Sequence, residues 1–192
     1  VFVRSDVISM EKEDLFISPD EVRVAYRFRN MSDGDVESIV AFPMPDITGD
    51  PNSDVAVPNS QSDNFLGFEV EVGGQRLRPD LEQKAFAAGL DVTEALTGAG
   101  VPLNPYAESA YEALARLPAA TRADWTVRGI VQHSSYDAGQ GTVEETVPVW
   151  TMKSTYWWRM TFPRGKPIEV CHRYKPSVGG TVGVTFFQDG KP

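Results

Sequence analysis

Histidine, serine and aspartate stand together in His133-Ser134-Ser135-Tyr136-Asp137, the residue types of a hydrolytic triad compressed into one short run. A triad moves a proton from a serine to an imidazole held by a carboxylate, and its members normally converge from distant segments. The chain has no Gly-x-Ser-x-Gly turn to lift a serine out of a sheet, so the run reads as a polar loop. Cys171 and His172 form a second tempting pair. Neighbouring residues of a strand point to opposite faces, which keeps that thiol and imidazole apart. His172 falls on the apolar parity between Val170 and Tyr174 and reads as a core histidine. Two histidines, one cysteine and no His-Glu-x-x-His leave zinc without its usual ligands.

Oxygen ligands are more plentiful. Asp50-Pro51-Asn52-Ser53-Asp54 begins like a calcium loop, with oxygens at alternate positions. Val55 then stands where the loop needs glycine and Gln61 where it needs a bidentate glutamate, so an EF-hand is excluded. Another calcium geometry through Asp46, Asp50, Asn52 and Asp54 stays open, beside a solvated loop of Asx turns.

Basic residues recur on single strand parities: Arg23 with Arg27 and Arg29, Lys153 with Trp157 and Arg159, Arg173 with Lys175. An outward face of arginines with a tryptophan suits an anionic ligand or a glycan, through guanidinium pairing and ring stacking. The candidate binding residues are therefore Trp157, Arg159, Arg23, Arg27 and Arg173. The competing reading pairs these bases with Glu37, Glu69, Glu71 and Glu169 as ordinary cross-strand ion pairs.

These side chains need strands to hold them. Val22, Val24, Tyr26 and Phe28 alternate with arginines, the signature of a half-buried strand. Asp33-Gly34 predicts a hairpin turn over residues 30–35. Ser38 to Met44 is apolar on both parities, as in a central strand, and the prolines of Phe42-Pro43-Met44-Pro45 end it. Phe68, Val70 and Val72 alternate with glutamates before Gly73-Gly74 turns the chain back. From Pro79 the pattern changes to helix: Asp80 with Gln83 and Asp91 with Glu94 resemble capping boxes, and Asn104-Pro105 opens a further helix with Tyr106, Ala110, Leu114 and Leu117 inward. Strands return after Ile130, with Trp150, Met152, Tyr156, Trp158, Met160 and Phe162 on one face. Residues 1–192 thus read as one antiparallel β-sandwich with a helical insertion at about 80–128.

The chain has 192 residues, 41% of them hydrophobic and 10% aromatic, enough for a packed core. Its net charge of −9 excludes wrapping of a phosphate backbone, so nucleic acid is not an expected partner. No apolar run is long enough for a transmembrane helix. The chain starts at Val1 without methionine, which reads as processing or trimming, and a turn signal at Asp189-Gly190 suggests that the C-terminus is cut as well.

Four segments carry a resemblance: Asp14 to Val24, Phe42-Pro43-Met44-Pro45-Asp46-Ile47, Phe65 to Val70, and His172-Arg173-Tyr174-Lys175-Pro176-Ser177-Val178-Gly179-Gly180. In their order they resemble a bacterial family known as domain of unknown function four-four-two-four. The resemblance implies an exported protein, periplasmic or extracellular, with further sequence after residue 192, and it brings no catalytic residues. A looser similarity, in the Phe-Pro strand end, the glycine turn and the helical stretch, is to the VIT domain, and it speaks to fold alone. The expectation is a non-enzymatic binding or interaction module for a protein, glycan or anionic ligand, with no cofactor beyond a calcium ion. The alternatives are a hydrolase-like enzyme around His133 and His172, or a calcium-stabilised scaffold.

Overall fold

The computed structural model describes residues 6–50, 55–137, 139 and 141–179. In chain order the strands begin with β1 (Ile8–Ile17), β2 (Val22–Asn30), β3 (Val36–Pro43), β4 (Ile47–Thr48) and β5 (Val55–Ala56). They continue with β6 (Glu69–Val72), β7 (Gln75–Leu77), β8 (Asp80–Ala87) and β9 (Leu90–Asp91). Helices α1 (Thr93–Gly98), α2 (Glu108–Arg116) and α3 (Ala119–Val127) follow. The chain then returns to strands in β10 (Val131–Asp137), β11 (Thr142–Pro148), β12 (Thr151–Phe162), β13 (Pro167–Tyr174) and β14 (Val178–Gly179).

The fold is mainly β and antiparallel. One five-stranded sheet has the order β1-β2-β13-β6-β7, and a second has β3-β12-β8-β9 with β4 also on β12. Period-two alternation gives each sheet one apolar face. Val22, Val24, Tyr26 and Phe28 of β2 pack in one core with Tyr156, Trp158, Met160 and Phe162 of β12, so the inner faces of the two sheets meet there. Their outer faces therefore look in opposite directions. Beyond that core the inner face of the second sheet continues under the helices, where Ala85, Leu96, Ala110, Leu114, Trp125 and Ile130 form a second core with Trp150.

Several local expectations change. Residues 80–87 form strand rather than helix, so the helices occupy 93–127. β8 pairs with β12 from Thr151↔Phe86 to Trp157↔Asp80, and its side chains alternate inward at Leu81, Gln83, Ala85 and Ala87. The ladder and this burial outweigh the helix-favouring composition of the segment. Asp80 caps nothing, whereas Asp91 Oδ1 does accept from the Thr93 N–H at the entry to α1. The α2 helix starts at Glu108 rather than at Pro105, because Asn104 Oδ1 accepts from the Tyr106 N–H in a local turn instead. Residues 30–35 carry the chain from one sheet to the other, since β2 and β3 belong to different sheets. Asn30 fixes that crossing: its side-chain amide donates to the carbonyls of Gly34 and Phe162, each at 2.8 Å. Among the described residues β3 is an edge strand, not a central one, and leaves Ile39 exposed on the outer face. The His133 run lies in strand β10, paired with β11, rather than in a loop.

Candidate functional site

Strand register assembles the outer face of the first sheet into rows. β13 sits between β2 and β6, so Arg173 is opposite Arg23 on one side and opposite Glu69 on the other. The next row along these strands is Ala25, Cys171, Glu71 and Arg76, and the one after it pairs Arg27 with Glu169. Side chains directly opposite one another on the same face lie about 5 Å apart at Cβ, and like charges there repel. Arg23 and Arg173 relieve that repulsion by leaning apart. The Arg173 Nε donates to Glu69 Oε2 at 2.7 Å, while the Arg23 guanidinium lies 5.3 Å from the ring centroid of Phe16. Between them opens a depression of about 250 Å³ lined by Arg23, Arg173, Cys171, Glu69 and Glu71.

Glu69 is also the wall of a second depression, of about 690 Å³, where the chain crosses from β7 to β8. Phe68, Leu77, Leu81 and Tyr156 give it an apolar lining, and Arg76, Arg78, Asp63 and Asn64 a polar one. The aromatic part is rigid. The Phe68 ring stacks on Tyr156 at 4.4 Å between centroids, and the Tyr156 hydroxyl reaches Asn64 Oδ1 at 2.6 Å. Burial pushes the Tyr156 phenol up to about 12, so it stays a neutral donor.

Electrostatically, Glu69 is the hub. Hydrogen bonding from Arg173, opposed by a smaller effect of burial, holds its carboxyl below the usual range, with Arg76 adding to the pull. One carboxylate thus serves two guanidiniums, and neither Arg23 nor Arg78 has an ion-pair partner among the described residues. Across the two depressions four arginines face three carboxylates, Glu69, Glu71 and Asp63, in a chain of net charge −9. Cys171, at the floor of the smaller depression, is half-buried, and burial followed by the charges of Glu169 and Glu71 raises its thiol. A thiol so placed is a poor nucleophile.

The expected binding face is divided. Arg23, Arg27 and Arg173 share the outer face of the first sheet, with Arg27 paired to Glu169 at 2.8 Å. Trp157 and Arg159 lie on the outer face of the second sheet, where Trp157 is opposite Ala41 and Asp80 and Arg159 is 3.7 Å from Glu37. Because the two outer faces point away from each other, these sets do not meet. Of the proposed calcium ligands, Asp46 pairs with Lys153 at 3.0 Å, Asp50 is exposed, and Asn52 and Asp54 lie outside the described residues. Among the described residues no group of three or more His, Cys, Asp or Glu side chains converges on a metal position.

The two histidines are separated as well. His133 on β10 is 4.0 Å from Glu144 on β11, both exposed, beside a depression of about 430 Å³ that Tyr111, Arg122 and Glu145 also line. Among the described residues no serine or cysteine lines that depression, and the hydroxyl residue in it is Thr146, directly opposite His133. His172 is in the core, 4.1 Å from the Phe42 ring, and neither of its nitrogens has a partner.

A family model described as "Domain of unknown function (DUF4424)" matches residues 1–191. The chain belongs to this family. No curated protein matches this DUF4424 chain. A solved structure from Legionella pneumophila, described as a "putative nutrient binding protein", is 19% identical, with a TM-score of 0.40 over 90% of this chain and 39% of that one. The DUF4424 chain therefore spans well under half of that protein's length, and its function is not transferred on so distant a likeness.

Arg76, Arg78, Asn64 and Tyr156 were missed in the sequence. A signal for the first two existed: in Gln75-Arg76-Leu77-Arg78, alternation after the glycine turn places both arginines on one face, the face of Glu69 and Glu71. What could not be read was that β6 would lie beside β13, since strand order across a sheet is not encoded in local periodicity.

Proposed function

We propose that this DUF4424 chain is a non-enzymatic binding module whose anionic ligand sits between Arg23 and Arg173 on the outer face of the first sheet. One observation carries the reading: Arg23 and Arg173 stand in register on neighbouring strands with their guanidiniums drawn apart, and an acidic group placed between them would turn repulsion into paired hydrogen bonds. The apolar lining of the adjoining depression suits the body of such a ligand, in the manner of small-molecule sites with few polar anchors. By the same proposal the protein works in the periplasm or outside the cell. Recovery of the full-length protein in the osmotic-shock fraction supports that location, and retention with cytosolic markers overturns it.

The binding test uses a panel of anions, phosphate, citrate and aromatic carboxylates, read by calorimetry. Arg23→Ala should weaken binding of the best of them about tenfold or more. Its melting temperature should hardly change, since an exposed arginine outside any ion pair contributes little stability. Trp157→Ala and Arg159→Ala, on the opposite sheet, should leave affinity unchanged. Loss confined to those two variants would move the site to the second sheet, and binding indifferent to all of them would remove the proposal.

A further inference from the structure

Strand β1 is an edge strand that displays apolar side chains where a core should cover them. Its register with β2 contains a bulge between Met10 and Lys12. On one side of the bulge Ile8 and Met10 share the inner face with Phe28. On the other side Glu13, Leu15 and Ile17 share it with Tyr26, Val24 and Val22. The β2 partners are buried, yet Met10 is 53% exposed, Leu15 56% and Ile17 68%. The second sheet therefore stops short of β1, and the outer backbone edge of β1 has no strand beside it among the described residues. Such an edge is a template for a further strand.

The order of side chains along β1 indicates what that strand is. A two-fold axis makes residue i meet j while j meets i, so a self-pairing strand must be complementary to its own reverse. Without the bulge Met10 and Leu15, five positions apart, would project from opposite faces. The bulge absorbs one residue and puts both on the inner face. In an antiparallel pair with its axis at Glu13, Met10 then meets Leu15 of the second copy and Ile8 meets Ile17. Lys12, at the bulge, meets Asp14 on the outer face. On the inner face apolar residues thus meet apolar ones, and on the outer face a base meets an acid, while Ser9 meets Phe16 there without a matching partner. Lys12 and Asp14 already pair within each chain and can exchange across the axis, and the remaining acid, Glu11, is held by Arg29 of its own chain. The mismatch on the inner face is the axis, where Glu13 meets its own copy.

We propose that two copies of this chain pair antiparallel through β1, joining their first sheets into one continuous sheet. The assembly is closed, because the pairing consumes the β1 edge of both copies. Glu13 acts against it, as a like charge on the axis, and limits its strength.

Sedimentation velocity on the 192-residue chain, across a range of concentrations, tests this. The wild-type chain should show a concentration-dependent monomer–dimer equilibrium. Glu13→Gln should tighten it about tenfold by removing the repulsion, whereas Leu15→Lys and Ile17→Lys should each weaken it by at least about as much. Both lysine positions are more than half exposed, so a melt should find these variants folded. Wild type and Glu13→Gln both monomeric at every concentration would overturn the proposal. So would a dimer that survives Leu15→Lys and Ile17→Lys, since its interface would lie elsewhere.

Discussion

Trp150→Ala is expected to lower stability by about 3–5 kcal/mol, the usual cost of truncating a buried tryptophan. Trp150 is fully buried in the helical core, in one cluster with Ala85 of the sheet and Leu96, Ala110 and Leu114 of the helices. Its indole N–H donates to the Leu103 carbonyl at 2.7 Å. The residue therefore ties the helices to the second sheet through packing and through one directed bond. The total stability of such a domain is only about 5–15 kcal/mol, so the loss is a large share of it. Phenylalanine separates the two contributions. Trp150→Phe keeps most of the apolar body and deprives the Leu103 carbonyl of its donor. Trp158→Phe, in the other core, removes an indole N–H that has no partner at all and should cost less. Trp158→Ala should fall near Trp150→Ala, and Trp157→Ala, on the half-buried outer face, well below both. Urea midpoints at constant slope measure the series. Equal losses for Trp157→Ala and Trp158→Ala would contradict the division of β12 into an inner and an outer face.

That division was legible because β12 alternates along its length, with Met152, Tyr156, Trp158, Met160 and Phe162 on one parity, the pattern of a strand with one face in a core and the other outward. The β13 alternation that buries His172 was legible for the same reason. β8 was not. Glu82, Gln83, Lys84 and Ala85 all favour helices, and the determinant of strand is non-local: seven residues in register with β12, and Gln83 Nε2 donating to Ser154 Oγ at 3.0 Å. The grouping of the candidate site residues was hidden for a related reason. Parity correctly placed Arg23, Arg27, Arg173, Trp157 and Arg159 outward, but parity cannot say which of two sheets a strand joins. The arginines of β2 and β13 were brought together and the tryptophan of β12 was carried to the far side. Glu69 became the hub only because β6 pairs with β13, a contact about a hundred residues apart in sequence.

Between pH 6.5 and 4 the protein should lose about 3 kcal/mol of stability to a single side chain, His172. The imidazole is 2% exposed, and around it stand the rings of Phe42, Phe68, Tyr26 and Tyr174. Among the described residues it forms no ion pair with a carboxylate, and both nitrogens lack hydrogen-bond partners. Burial is therefore the largest cause that disfavours the imidazolium and lowers its pKa from 6.5 to about 4. In the unfolded chain the same imidazole takes up a proton near 6.5, so below that pH the unfolded state binds more protons and is favoured. The stability is whole above 6.5 and is lost as the pH falls through the window, reaching its full loss near the folded value of 4. Glu69, held ionised by Arg173, adds its own loss only lower, in the carboxylate range. His172→Phe isolates the imidazole: it keeps an aromatic ring in the slot and removes two unsatisfied nitrogens, so its stability at pH 7 should be equal or higher. Its urea midpoint should then stay flat from pH 6.5 to 5, where the wild-type midpoint is already falling. Parallel profiles for the two proteins would mean that His172 keeps its proton equilibrium on folding, which a ring enclosed by aromatic side chains does not allow.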